Sequence, residues 1–124
     1  MHECLYSKKG YIGKGVAQVA RYNGYGHVSG QIACDPVTGQ SIHGTMTEQA
    51  TCVMECLKGI MEDMGLSLSN IIKCNVFLSS MDLFDEMNAV YIQYFGTEHP
   101  PARQAVVAEV WDKLDLEISA EFYY

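Results

Sequence analysis

The chain has 124 residues, with 8 basic and 15 acidic side chains, a formal net charge of −7 and a pI near 4.9. With 48% hydrophobic and 19% charged residues, it reads as one globular domain over 1–124, not a disordered segment. No apolar run approaches the roughly 20 residues of a membrane span, and the opening Met1-His2-Glu3-Cys4-Leu5 has no basic-then-apolar leader pattern, so a soluble, cytoplasmic protein is expected.

Residues 16–22 (VAQVARY) predict a β-strand, and Asn23-Gly24-Tyr25-Gly26 a turn, since Asn-Gly tolerates positive φ. His27 to Ile32 predicts the return strand of a hairpin. Asp35-Pro36-Val37-Thr38-Gly39 is a second turn. The clearest element is a helix over 46–64. Ala50, Val53, Met54, Leu57, Ile60, Met61 and Met64 recur at three- and four-residue steps, which builds one apolar stripe. Thr45 and Glu48 fit a capping box and Gly65 a C-terminal cap.

Ile71 to Leu78 predicts a strand. A second helix is expected from about Asp82, as N-cap, to Phe95, ended by Gly96. Phe84, Met87, Tyr91, Tyr94 and Phe95 form its core face. His99-Pro100-Pro101 forces an extended segment, and 103–110 predicts a strand. In the last run Leu114, Leu116, Ile118, Ala120 and Phe122 alternate with Asp115, Glu117, Ser119, Glu121 and Tyr123, the period of a half-buried strand. The order β-β-α-β-α-β-β is that of an α+β sandwich, with two helices on one face of a mixed sheet. The other sheet face carries small and half-polar side chains, so it meets either solvent or a partner subunit.

The five cysteines (4, 34, 52, 56 and 74) are odd in number and irregularly spaced, which is no disulfide framework. Free thiols in a reducing compartment are expected. Cys52 and Cys56 lie one helical turn apart, an unsuitable geometry for a bridge. His2, His27, His43 and His99 show no metal-ligand spacing, so no metal is expected. Gly10 to Gly15 (GYIGKG) lacks the flanking strand and helix of a dinucleotide loop.

Residues 1–62 carry five basic and five acidic groups; residues 63–124 carry three and ten. Such a balance disfavours nucleic acid, which needs a positive face. Between Lys73 and Lys113 the only basic residue is Arg103. Its fork suits a carboxylate or phosphate through paired hydrogen bonds, or else a surface ion pair. Glu117 can serve as a general base for water, or is a solvated strand residue. Gly30, in Ser29-Gly30-Gln31, permits close approach of a ligand or another backbone, or marks a bulge. Asn88 is a poor helix former that either bonds across an interface or faces water.

Several stretches now carry a resemblance: Ile12-Gly13, Val28-Ser29-Gly30-Gln31-Ile32, Asp35 to Gly39 and the 46–64 helix. Lys73 to Leu78, Phe84 to Tyr91, Pro101-Ala102-Arg103 and Leu116-Glu117-Ile118 continue it. In this order and spacing they resemble the Rid (YjgF-type) family, also called endoribonuclease L-PSP. The resemblance implies a chorismate-mutase-like α+β fold and a homotrimer with clefts between subunits. The activity it implies is hydrolysis of enamines and imines such as 2-aminoacrylate to 2-keto acids and ammonia, without a cofactor. By the same resemblance Arg103 clamps the substrate carboxylate and Glu117 positions water. Gly30, with Ser29 beside it, and Asn88 line the cleft. Two family positions differ. A tyrosine is replaced in Gly13-Lys14-Gly15, with Tyr11 and Tyr6 the nearest substitutes, and a cysteine is replaced by Ala105. These departures admit a second reading, a non-catalytic trimer that senses small carboxylates. The nuclease implied by the family label sits poorly with the charge.

Overall fold

The computed structural model describes residues 1–124. Its strands are β1 (Glu3–Leu5), β2 (Val19–Tyr22), β3 (Tyr25–Ile32), β4 (Ile71–Leu78), β5 (Ala102–Val107) and β6 (Leu116–Tyr123); its helices are α1 (Met46–Asp63) and α2 (Phe84–Phe95). The six strands form one mixed sheet in the order β1-β2-β3-β6-β4-β5. Only β4 and β5 run parallel. A parallel pair needs a crossover, and α2 supplies it.

The expected α+β sandwich is found, with corrections at its edges. A short strand β1 precedes the expected first strand and pairs with β2; three residues carry too little periodicity to be read. The predicted strand 16–22 begins only at Val19, because Gln18 is drawn aside: its amide donates to the carbonyls of Ser7 and Tyr11, both at 3.1 Å. The strand expected over 103–110 ends at Val107. Asp82 does not cap α2. Ser80 accepts from the Asp82 N–H at 3.2 Å and caps a 3₁₀ turn over Met81–Leu83, from which α2 starts without a side-chain cap. A serine two residues upstream competes for the same free N–H groups.

The local signals elsewhere act as chemistry requires. Asn23 and Gly24 both have positive φ, 56° and 85°, the two-residue turn whose twist matches the flanking strands. Thr45 and Glu48 exchange hydrogen bonds with each other's backbone at 3.2 and 3.1 Å. At the other end of α1, Gly65 has φ 75°, with Leu66 N donating to Met61 O and Gly65 N to Glu62 O. This is a Schellman closure that glycine makes without strain.

The core lies between the helices and one sheet face. Leu116, Ile118, Ala120 and Phe122 of β6, with Cys74, Val76 and Leu78 of β4, meet Val53, Met54, Leu57 and Met61 of α1. The other face carries Tyr25, His27, Asn75, Phe77, Glu117, Ser119, Glu121 and Tyr123, and no helix covers it. No helix is long and apolar enough to cross a membrane.

Candidate functional site

Arg103 stands on the edge strand β5, in register with buried Cys74, so its side chain points to the helix face. There it meets α2. Phe84, Asn88 and Tyr91 share one stripe of that helix, since residues three and four apart are neighbours. The Arg103 guanidinium donates from Nη1 to Asn88 Oδ1 at 2.6 Å. Its central carbon lies 4.7 Å from the centroid of the Tyr91 ring and 5.1 Å from that of Phe84, a favourable position for a delocalised cation. The two sequence candidates Arg103 and Asn88 are therefore one unit.

The ion-pair alternative for Arg103 fails. Each of the salt bridges in the structure belongs to another cation. Asn88 occupies one of five N–H donors and leaves the charge uncompensated. The guanidinium opens on a cavity of about 350 Å³ lined by Asn88, Tyr91, Gly96, Pro100, Pro101 and Arg103. The two prolines hold the wall in an extended path. Such a cavity suits a small anion.

Glu117 occupies the opposite side of the sheet. It is in register with Phe77 and Ile32, while its neighbours Leu116 and Ile118 are core residues. The carboxylate packs over Gly30. A Cβ there would lie 2.7 Å from Glu117 Cδ and 2.9 Å from Cγ. The glycine sits in an irregular stretch of the β3–β6 ladder, between Val28 and Gln31, which fits the bulge reading of Gly30, and the group it admits closely is the Glu117 side chain. Burial pushes the Glu117 carboxyl above its ordinary pKa of 4.5, because a charge loses hydration there.

Ser29 is placed differently from the expectation. Its hydroxyl donates to Ala17 O at 2.6 Å and its N–H to Gln18 O at 2.8 Å. It holds the segment before β2 and has no hydroxyl proton left for a ligand. Gln31, wholly buried, accepts from Tyr11 N at 2.7 Å and donates to Tyr11 O at 3.1 Å. Tyr11 is thereby fixed beside Ile32, Ala33, Val110 and Leu114. Tyr6 lines a separate cavity with Asp63 and Met64. Neither tyrosine lines the Arg103 cavity within the chain. Gly15 has φ 80° and open space around it.

The sequence missed the second role of the α2 aromatics. Tyr91 is a core residue, only 4% exposed, but its ring also supports Arg103. Its hydroxyl is buried near Cys74 without a well-directed partner. The available signal was spacing, since Phe84 and Tyr91 flank Asn88 by one turn on either side. No group of His, Cys, Asp or Glu side chains has an arrangement able to hold a metal ion.

Arg103 and Glu117 thus lie on opposite faces of one sheet, and a single chain does not bring them together. The sequence pattern of the family described as Endoribonuclease L-PSP matches residues 13–122. The chain belongs to that family. It is 39% identical over 108 residues to a RutC family protein of Pyrococcus horikoshii, covering 86% of this chain and 85% of that one. The human 2-iminobutanoate/2-iminopropanoate deaminase is 31% identical over 94 residues, 76% of this chain and 69% of that one. Among solved structures, Escherichia coli TdcF with bound serine superposes with a TM-score of 0.88 at 29% identity, covering 98% of each chain. As a member of this family, the chain shares the fold of relatives whose activities are diverse.

Proposed function

We propose that this protein hydrolyses small 2-imino and 2-enamino acids to 2-keto acids and ammonia, in clefts between the subunits of a homotrimer. The observation that carries the reading is Arg103: a cation oriented by Asn88, supported by two aromatic faces, free of any acid, and opening on a small cavity. The human relative named as an imine deaminase and the serine bound to TdcF support a substrate of amino-acid size. The opposite placement of Glu117 supports a shared site. When the uncovered sheet face of one subunit packs beside the β5 edge of another, Arg103 of one chain and Glu117 of the next face the same cleft.

The chemistry follows from those groups. Arg103 holds the substrate carboxylate by paired hydrogen bonds and fixes the imine carbon. Glu117 takes a proton from water as its oxygen attacks that carbon, and the C=N electrons move to nitrogen. The nitrogen takes the proton held by Glu117, which gives the neutral carbinolamine. Its hydroxyl then yields its proton to Glu117, which passes it to the nitrogen as the C–N bond breaks; ammonia leaves and the C–O group becomes the keto group. A carboxyl whose pKa burial has raised is suited to hold a proton between these steps. No step calls for a cofactor.

The test couples the protein to a pyridoxal-phosphate-dependent serine or threonine dehydratase and follows release of 2-keto acid. Acceleration that disappears in Arg103→Ala is expected. No acceleration, with tight binding of 2-ketobutyrate retained, supports the carboxylate-sensing alternative that the replaced tyrosine and cysteine favour. Light scattering should report three times the 13.8-kDa chain mass; a monomer refutes the shared cleft.

A further inference from the structure

Three thiols from two elements meet at the end of the sheet remote from the chain termini. Cys52 and Cys56 lie one turn apart on α1, and Cys34 follows β3 on the segment bridged to Ser41. The Cys52 Sγ–H donates to the Cys34 carbonyl oxygen at 3.6 Å, and the Cys56 thiol neighbours that of Cys52 along α1. Cys34 and Cys56 are buried, while Cys52 is partly open to solvent. The catalytic reading above uses none of them.

We propose that Cys52 is a peroxide-sensitive thiol that closes a disulfide with Cys34. The cluster divides the work. Cys52 is the only member an oxidant reaches. Its thiolate accepts a hydrogen bond from Cys56, and this bond holds its pKa below the ordinary thiol value. Burial raises Cys34 to about 11, and the contact with the Cys52 thiol, with burial second, raises Cys56, so both remain protonated. Asp35 is the charged group facing the cluster, and it opposes rather than assists ionisation. The preference therefore comes from the thiol–thiol bond and not from a neighbouring cation.

Cys34 is the resolving partner by geometry. Neighbours one turn apart on a helix hold their Cβ atoms about 5–6 Å apart, whereas a disulfide needs roughly 3.5–4.5 Å. This excludes Cys52–Cys56. Cys34 comes from another element, and its backbone already touches Cys52. In the first step the Cys52 thiolate attacks a hydroperoxide: an S–O bond forms, the O–O bond breaks, and the leaving oxygen departs as water (or an alcohol) after taking a proton. In the second, Cys34 sulfur attacks the sulfenic sulfur and loses its proton. An S–S bond forms and hydroxide leaves as water. Two thiols are oxidised by two electrons and one peroxide is reduced.

The full chain, reduced and freed of reductant, is treated with substoichiometric hydrogen peroxide and cleaved after glutamate. Cuts after Glu48 and Glu55 place Cys34, Cys52 and Cys56 on separate peptides, and a second cleavage after Arg21 parts Cys34 from Cys4. The expected product is a Cys34–Cys52 link within one chain, about tenfold ahead of any oxidation at Cys4, although Cys4 is the more exposed thiol. In Cys34→Ser, a sulfenic acid trapped by dimedone at Cys52 is expected in place of the link. A Cys52–Cys56 link, a link between chains, or Cys4 reacting as fast as Cys52 overturns the proposal. All three outcomes are read on the unsubstituted protein and do not depend on a variant folding.

Discussion

Gly30→Ala tests the construction of the site most directly. The new methyl would lie 2.7 Å from Glu117 Cδ, where ordinary contact begins at 3.4 Å. The carboxyl group must therefore retreat by at least the missing 0.7 Å. The backbone does not resist the change, since Gly30 is not among the residues with positive φ. The obstacle is the far end of a flexible side chain, so crowding costs at the low end of the roughly 1–3 kcal/mol for overpacking. Alanine recovers about 0.5–1 kcal/mol over glycine in a strand. Net stability should change by no more than about 1 kcal/mol, a Tm shift of a few degrees. Activity responds far more, because a misplacement near 1 Å costs about 10²-fold, or roughly 2.7 kcal/mol of barrier. The dehydratase-coupled assay should report that loss in kcat/KM, while adding Gly30→Ala to Glu117→Gln should cost little more than Glu117→Gln alone, since both changes remove one function. A folded Gly30→Ala with unaltered kcat/KM would refute the inference that Gly30 exists to seat Glu117.

Arg103→Lys keeps the charge but loses the fork and the support of Phe84 and Tyr91. A fall of about 10- to 100-fold in kcat/KM, mostly in KM, is expected at unchanged Tm. Glu117→Gln should abolish turnover and raise stability at neutral pH. The folded carboxyl titrates above its ordinary value of 4.5, so the native state binds the extra proton and wild-type stability falls as pH rises through that interval. Melting curves from pH 4 to 8 should therefore show Glu117→Gln gaining on wild type with rising pH; parallel curves would contradict the burial of the charge. Thr45→Ala removes the capping box at the start of α1. It should cost about 1 kcal/mol by urea denaturation, with turnover per folded molecule unaffected.

What could be read from the chain divides according to the range of the forces involved. Helix α1, the Asn23-Gly24 turn and the alternation of β6 are set by side chains within a few residues of one another, so periodicity and capping sufficed to place them. Asp82 misled because Ser80 competes for the same N–H groups, a choice between two local caps that composition does not resolve. Arg103 stood out as the sole cation of an acidic stretch, and Asn88 as a poor helix former, but nothing in their 15-residue separation said that they touch. That contact depends on the α2 crossover laying the helix beside β5. The same holds for Cys34, which joins Cys52 and Cys56 only when the end of β3 packs against α1. Composition and local pattern thus determined the elements, the core face and the candidates for chemistry. Only the tertiary structure decided that Glu117 fills the space left by Gly30, and that it does so on the side of the sheet away from Arg103, because strand register assigns each side chain to a face and register is settled by partners distant in sequence.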